Sequence, residues 1–218
     1  MTLCALDFET TGLTPGTHGL VSIGASCWLD RARGVTWNFR GLVLPHENCA
    51  IEPRAIEING YNREKWIAQG AVPINEALAW LVRWLDAVRG KITREGPLAD
   101  LTPLAHNAAF ERKWLEWTEE KAGMPIGFNH RWACSQTAFQ FLMDAGNLPA
   151  GSSSLDRLGA LAGLWPAAGR GPVHDAADDA AAALKAYHWL MSRIPHETPN
   201  VVLMNPPFSI PMAHEPLR

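Results

Sequence analysis

The stretch Thr2-Leu3-Cys4-Ala5-Leu6-Asp7-Phe8-Glu9-Thr10-Thr11-Gly12-Leu13 decides how the chain is read. Residues 2–9 alternate and end at Thr-Thr-Gly, which predicts a first strand. Successive strand side chains point to opposite faces. Asp7 and Glu9 therefore share one face, roughly 7 Å apart, while Phe8 points into the core. Two acids together at a strand's mouth repel each other unless a cation lies between them. Alone, an Asp-x-Glu pair is an ordinary solvated edge, so its meaning depends on what the rest of the chain brings to it.

Outward from that strand, residues 20–29 and 34–44 predict two more, joined by the charged turn 30–33 into an antiparallel meander. Residues 53–58 and 62–69 predict short helices or turns. Residues 73–88 have Pro near the start, apolar residues at helical spacing and Gly90 just after, so they predict a helix. A short buried strand is expected over 101–106, a helix over 108–121 ended by Gly123, and a strand turning into a helix around 131–145. Ser152–Ser154 caps a helix over 155–163. A long alanine-rich helix follows over 175–194, with Leu184, Tyr187, Leu190, Met191 and Ile194 on its apolar side. Strands first, then helix alternating with strand, predict one α/β layered domain with a mixed sheet over residues 1–195. Residues 196–218 carry prolines at 199, 206, 207, 211 and 216 and read as a tail. Asn205-Pro206-Pro207-Phe208 looks like the tetrapeptide of amino-group methyltransferases, but no glycine-rich loop of a Rossmann domain precedes it.

The 218 residues are 47% apolar and 19% charged, which excludes a mostly disordered chain. No apolar run reaches the roughly 18 residues of a membrane span. The N-terminus has no basic region and places an acid at Asp7, so no secretory signal is expected and the compartment is taken as cytoplasmic. Cys4, Cys27, Cys49 and Cys134 show no Cys-x-x-Cys spacing and are expected to be reduced, mostly buried thiols rather than zinc ligands. Ten tryptophans stand against two tyrosines. Trp80 and Trp84, and Trp114 and Trp117, sit at helical spacing and are expected in the core. The net charge of −3 excludes a protein that grips nucleic acid by bulk positive charge. A polyanion would need a local site here, or metal ions.

Two further clusters carry chemistry. In His106-Asn107-Ala108-Ala109-Phe110-Glu111 a strand gives way to a helix, with Asn107 as its cap and Glu111 in its first turns, where negative charge is favoured. In His174-Asp175-Ala176-Ala177-Asp178-Asp179 a histidine and three aspartates crowd the start of the alanine-rich helix. Acids complementing the helix dipole explain part of that cluster. They do not explain the histidine, nor the like charges of Asp175 and Asp179 four residues apart.

Together the three segments resemble the DEDDh 3′–5′ exonucleases of the DnaQ-like and ribonuclease-T-like superfamily, over about residues 3–194. DFETTGL at 7–13 fits the family's first motif, HNAAFE at 106–111 its second except at the last residue, and His174 with Asp179 its third. IEPRAIEINGYN at 51–62 is similar to the family's segment between the first sheet and the next helix. The resemblance implies a ribonuclease-H-like fold with a mixed five-stranded sheet flanked by helices. It implies that Asp7, Glu9, Asp179 and Glu111 hold two divalent ions, Mg²⁺ or Mn²⁺, and that His174 is the general base. It places Thr10, Thr11, Gly12, Leu13, Asn107 and Phe110 at the substrate, Thr10 through its N–H and hydroxyl, Leu13 and Phe110 against the last bases. The expected substrate is a single-stranded 3′ end, DNA favoured over RNA. The expected product is a nucleoside 5′-monophosphate. An exoribonuclease of the same fold and a non-catalytic nucleic-acid adaptor are the alternatives. A polymerase or clamp meeting the tail, and a homodimer, are the partners considered; no membrane is. Glu111 stands where the family has Asp, which adds reach and implies a preference for Mn²⁺ over Mg²⁺.

Overall fold

In β1 (Thr2–Thr10) the alternation sends Cys4, Leu6 and Phe8 into one apolar layer and Ala5 into another. A computed structural model of the chain describes residues 2–91, 101–165 and 173–194. β2 (Leu20–Asp30) and β3 (Val35–Leu42) continue β1 as an antiparallel meander. β4 (Leu101–Ala105) and the two-residue β5 (Ala133–Cys134) add to the other side of β1, parallel to it. The five strands lie in the order β3-β2-β1-β4-β5, the mixed sheet the sequence implied.

Between the strands run α1 (Pro53–Asn59), α2 (Arg63–Ala68), α3 (Ile74–Lys91), α4 (Ala108–Ala122), α5 (Ser135–Asp144), α6 (Leu155–Leu161) and α7 (Ala176–Met191). Leu78, Leu81 and Leu85 of α3 and Trp114 of α4 pack with Leu6, Phe8, Ile23 and Ala25 on one face of the sheet. On the other face α7 lies across β2, β1 and β4. Its Ala180 and Leu184 close over Ala5 and Leu104. Gly123 ends α4 in the left-handed conformation, and Ser154 caps α6 by accepting from the Arg157 N–H.

The alanines of α7 permit a very close approach. A Cβ built on Gly24 of β2 would lie 1.9 Å from the Ala176 carbonyl oxygen and 2.5 Å from the Ala177 nitrogen. The start of α7 therefore rests directly on the sheet, beside Asp7, which pairs with Gly24 across the ladder.

Some details differ from the sequence reading. α7 ends at Met191, and Ile194, expected on its apolar side, is exposed beyond it. The buried side of the helix is mostly alanine, because the sheet is too near for larger residues. Of the cysteines only Cys4 and Cys27, partners across β1 and β2, are fully buried; Cys49 and Cys134 are half-buried, and all four are free. Trp66 and Trp114 are buried, and the other tryptophans are half-buried at the rims of the core. Residues 196–218, the expected tail, lie outside the described residues. Among the described residues no helix is long and apolar enough to cross a membrane.

Gly24→Ala is expected to destabilise the protein by about 2 kcal/mol or more, since helix backbone must shift to admit one methyl group. Urea unfolding of the variant beside the parent protein checks this.

Candidate active site

β4 pairs with β1 only over residues 2–5, so beyond Ala5 the edge of β1 on that side is open. The chain leaves β4 at Ala105, turns at His106 and Asn107, and starts α4 against that open edge. His106 is tied down at both ring nitrogens, 2.9 Å from the Ser135 hydroxyl and 2.9 Å from the Ser153 carbonyl. Asn107 caps α4, its side chain accepting from the Phe110 N–H at 3.4 Å. Glu111 follows in the first turn and turns inward. It is 5% exposed and accepts a hydrogen bond from the Phe8 backbone.

The three aspartates of the third cluster separate by role. Asp175 is the cap of α7, accepting from the N–H groups of Ala177 at 3.0 Å and Asp178 at 3.2 Å. It also pairs with Arg40 of β3 at 2.7 Å. Asp178 is exposed. Asp179, one turn into the helix, is 3% exposed and lies with Glu9. His174 donates its backbone N–H to the Ile58 carbonyl at 2.8 Å, and its Nδ1 lies 3.7 Å from Asp179 Oδ2. One ligand atom each from Glu9, His174 and Asp179 falls within 4.8 Å of the others. Glu111 adjoins both acids of that group. Asp7 shares the β1 face two residues back and is not a member of the triplet.

The turn after β1 is built on internal bonds. The ladder shifts register between Glu9 and Thr10, and the Asn59 amide donates to the Thr10 carbonyl at 2.8 Å. The Thr10 hydroxyl, expected at the substrate, donates instead to the Gly12 carbonyl at 2.7 Å. Thr11 is fully buried; its hydroxyl donates to the Ala50 carbonyl at 2.6 Å and accepts from the Gly19 N–H at 2.9 Å. Gly12 is required because the His18 ring occupies the space a Cβ would take. His18 is held in turn by Glu52 at 3.0 Å. Leu13 remains 68% exposed, with Lys113 donating to its carbonyl at 3.5 Å, and Phe110 is half-buried. Thr11 and Gly12 thus act by shaping the turn, while Leu13 and Phe110 present apolar surface.

Sequence reasoning gave no role to Glu52, Ile58, Asn59 or Arg40. The signal for Arg40 was strand register, since it lies opposite Gly24 on the face that carries Asp7. The contacts of α1 with the turn and with His174 are tertiary and leave no periodic trace.

Burial, reinforced by the charges of Glu9 and Asp179, pushes the Glu111 carboxyl well above the usual carboxylate range, against the lowering effect of the Phe8 hydrogen bond. Its Oε2 is buried and finds no hydrogen-bond partner among the described residues. A buried carboxylate oxygen without a protein donor, facing two more carboxylates, suits a hard divalent cation. The residues present therefore fit a divalent metal.

No family model and no curated protein matches the chain. Solved structures do. Cell-death related nuclease 4 superposes with a TM-score of 0.65 at 18% identity, over 88% of this chain and 64% of its own. The nuclease domain of 3′hExo, a DEDDh family member, bound to rAMP, matches with a TM-score of 0.64 at 17% identity, over 88% of this chain and 92% of its own. Exonuclease X in complex with 5′ overhanging duplex DNA matches with a TM-score of 0.53 at 20% identity, over 87% and 91%. The chain thus spans about two thirds of the first of these nucleases and most of the other two domains. It has their ribonuclease-H-like fold.

A carboxyl whose native pKa is raised favours folding below its ordinary value of about 4.5, and that advantage is lost as pH climbs through the raised value. Metal-free protein is therefore expected to melt lower at about pH 8 than at about pH 5, and Glu111→Gln to flatten that difference. Mn²⁺ should restore the melting temperature at the higher pH. Scanning calorimetry with and without chelator tests all three.

Proposed function

We propose that this chain is a metal-dependent 3′–5′ exonuclease of the DEDDh type, releasing nucleoside 5′-monophosphates from a single-stranded 3′ end, DNA in preference to RNA. One observation carries the reading: Glu9, Glu111 and Asp179, from β1, α4 and α7, are buried against one another with His174 at the opening. A fold does not bury like charges together for stability. The superposed nucleases support the same reading through their shared architecture.

Asp7, Glu9, Glu111 and Asp179 would hold two divalent ions, Mg²⁺ or Mn²⁺. When bound, such ions activate water and neutralise charge on the phosphodiester. The chain's own groups supply the rest. His174 takes a proton from the attacking water, a task that suits an imidazole. Asp179 faces its Nδ1 and steadies the imidazolium once it forms. The one-third exposure of the ring lets the proton pass on to solvent. Leu13 and Phe110 pack against the terminal bases, and the N–H of Thr10 and the side chain of Asn107 lie along the same end of the strand. The extra methylene of Glu111 carries its carboxyl to the Phe8 N–H and keeps it beside Glu9 and Asp179, so the substitution relative to the family preserves the acid set.

The test is release of mononucleotides from labelled single-stranded DNA and RNA oligomers, with Mn²⁺, with Mg²⁺ and with chelator. Asp179→Ala and His174→Ala are each expected to lose roughly 10²–10⁴-fold in turnover, with His174→Ala keeping its metal affinity. Faster turnover of RNA would replace DNA with RNA in the proposal. Binding without any release at high protein concentration would make the chain an adaptor.

A further inference from the structure

Beyond the acidic centre, α4 carries a surface of different chemistry. Phe110, Trp117 and Lys121 recur at spacings of seven and four, so they fall on one row of the helix, starting at the site and running about 16 Å along it. The Trp117 ring is fixed edge-on against buried Trp114, with centroids 5.5 Å apart and planes at 82°. Its other neighbour is His46, at 6.4 Å. Between Trp117, His46 and Lys121 opens a cavity of about 460 Å³, walled further by Leu20, Pro45 and Pro73. No carboxylate among the described residues lines it, and Lys121 is its one charged wall. Gly16, at φ +86°, forms its rim 3.5 Å from the Trp117 indole nitrogen, measured from where a Cβ would stand, so the rim stays low. Gly16 belongs to the same turn as exposed Leu13, and Lys113 bridges that turn to α4. The cavity thus lies along the same helix that carries Glu111 and Phe110 at its start.

Resting on the exonuclease reading, we infer that this cavity takes one nucleobase of the substrate strand, about three nucleotides upstream of the 3′ end, stacked on Trp117. Lys121 and Lys113 meet the backbone phosphates on either side. The distance sets the count. Trp117 lies about 10 Å along α4 from Phe110, which three stacked nucleotides at about 3.4 Å each would span. The chemistry sets the occupant. Apolar and aromatic walls with a lysine at the edge are the combination that holds single strands without reading their sequence.

The experiment measures both binding and turnover on oligodeoxythymidylates of two, four and ten nucleotides, using the full chain. Binding is read by fluorescence anisotropy in Ca²⁺. The parent protein is expected to bind the ten-mer at least tenfold more tightly than the dinucleotide and to show the same ratio in KM. Trp117→Ala and, as a surface change that spares the core, Lys121→Glu should each reduce that ratio about tenfold. Lys121→Glu should also lower the salt dependence of ten-mer binding by about one unit of slope. Length-independent binding, or a ratio that both variants leave intact, overturns the inference, as does a cavity that proves to bind a peptide or a second copy. Length-dependent binding that the variants weaken, without any release of mononucleotides, keeps the inference and removes the exonuclease reading.

Discussion

Like charges buried at close range set the terms for this molecule. Glu9, Glu111 and Asp179 each give up most of their hydration; Phe8 gives Glu111 a backbone hydrogen bond, and the imidazole of His174 lies beside Asp179. Arg40, which lines the same pocket as Glu9 and His174, is engaged by Asp175 at 2.7 Å. The cost of such a cluster must be met by packing elsewhere, and the two apolar layers on either side of the sheet supply it. A divalent cation would offset the charge gathered there.

Holding three segments at one point requires stiff connections, and α1 with its flanks supplies them. The Ile58 carbonyl receives the His174 N–H, the Asn59 amide holds the Thr10 carbonyl, and the Glu52 N–H reaches the Thr11 carbonyl at 2.8 Å. Asn59 is buried and its side-chain oxygen also accepts from the Tyr61 N–H, so both of its ends are committed. Gly60 ends α1 at φ +65°, a conformation that favours glycine, with the Val173 side chain packed where a Cβ would point. The first and third acidic segments are thus registered to each other through α1 as well as by the direct packing of α7 on β1.

Much of this was legible in the amino-acid order because two periodicities are simple. Alternation in β1 separated Asp7 and Glu9 from Phe8, and the helical spacings in α3 and α4 marked which faces are buried. The motifs located the acids. What the chain order hid was the division of labour within each motif. The spacing from His174 singled out Asp179; the docking of α7 on Gly24 shows in addition that Asp175 caps the helix and Asp178 faces water. The hydroxyl of Thr10 is used within the turn, donating to the Gly12 carbonyl, and that of Thr11 is used across the fold, donating to the Ala50 carbonyl. His106, at the turn into α4, had no role assigned from the sequence. Long-range partners at Ser135 and Ser153 fix it in place.

The glutamate at 111 shows how a local departure can be absorbed by geometry. α4 starts where β4 stops, and β1 runs on past it, so the helix meets an unpaired strand edge instead of a neighbour in the sheet. A carboxyl on the first turn has a backbone N–H of that edge to reach for, and it must arrive beside Glu9 and Asp179 as well. Reaching both from the helix is a matter of side-chain length, and the burial and neighbouring charges that raise the Glu111 pKa place its carboxyl among Glu9 and Asp179.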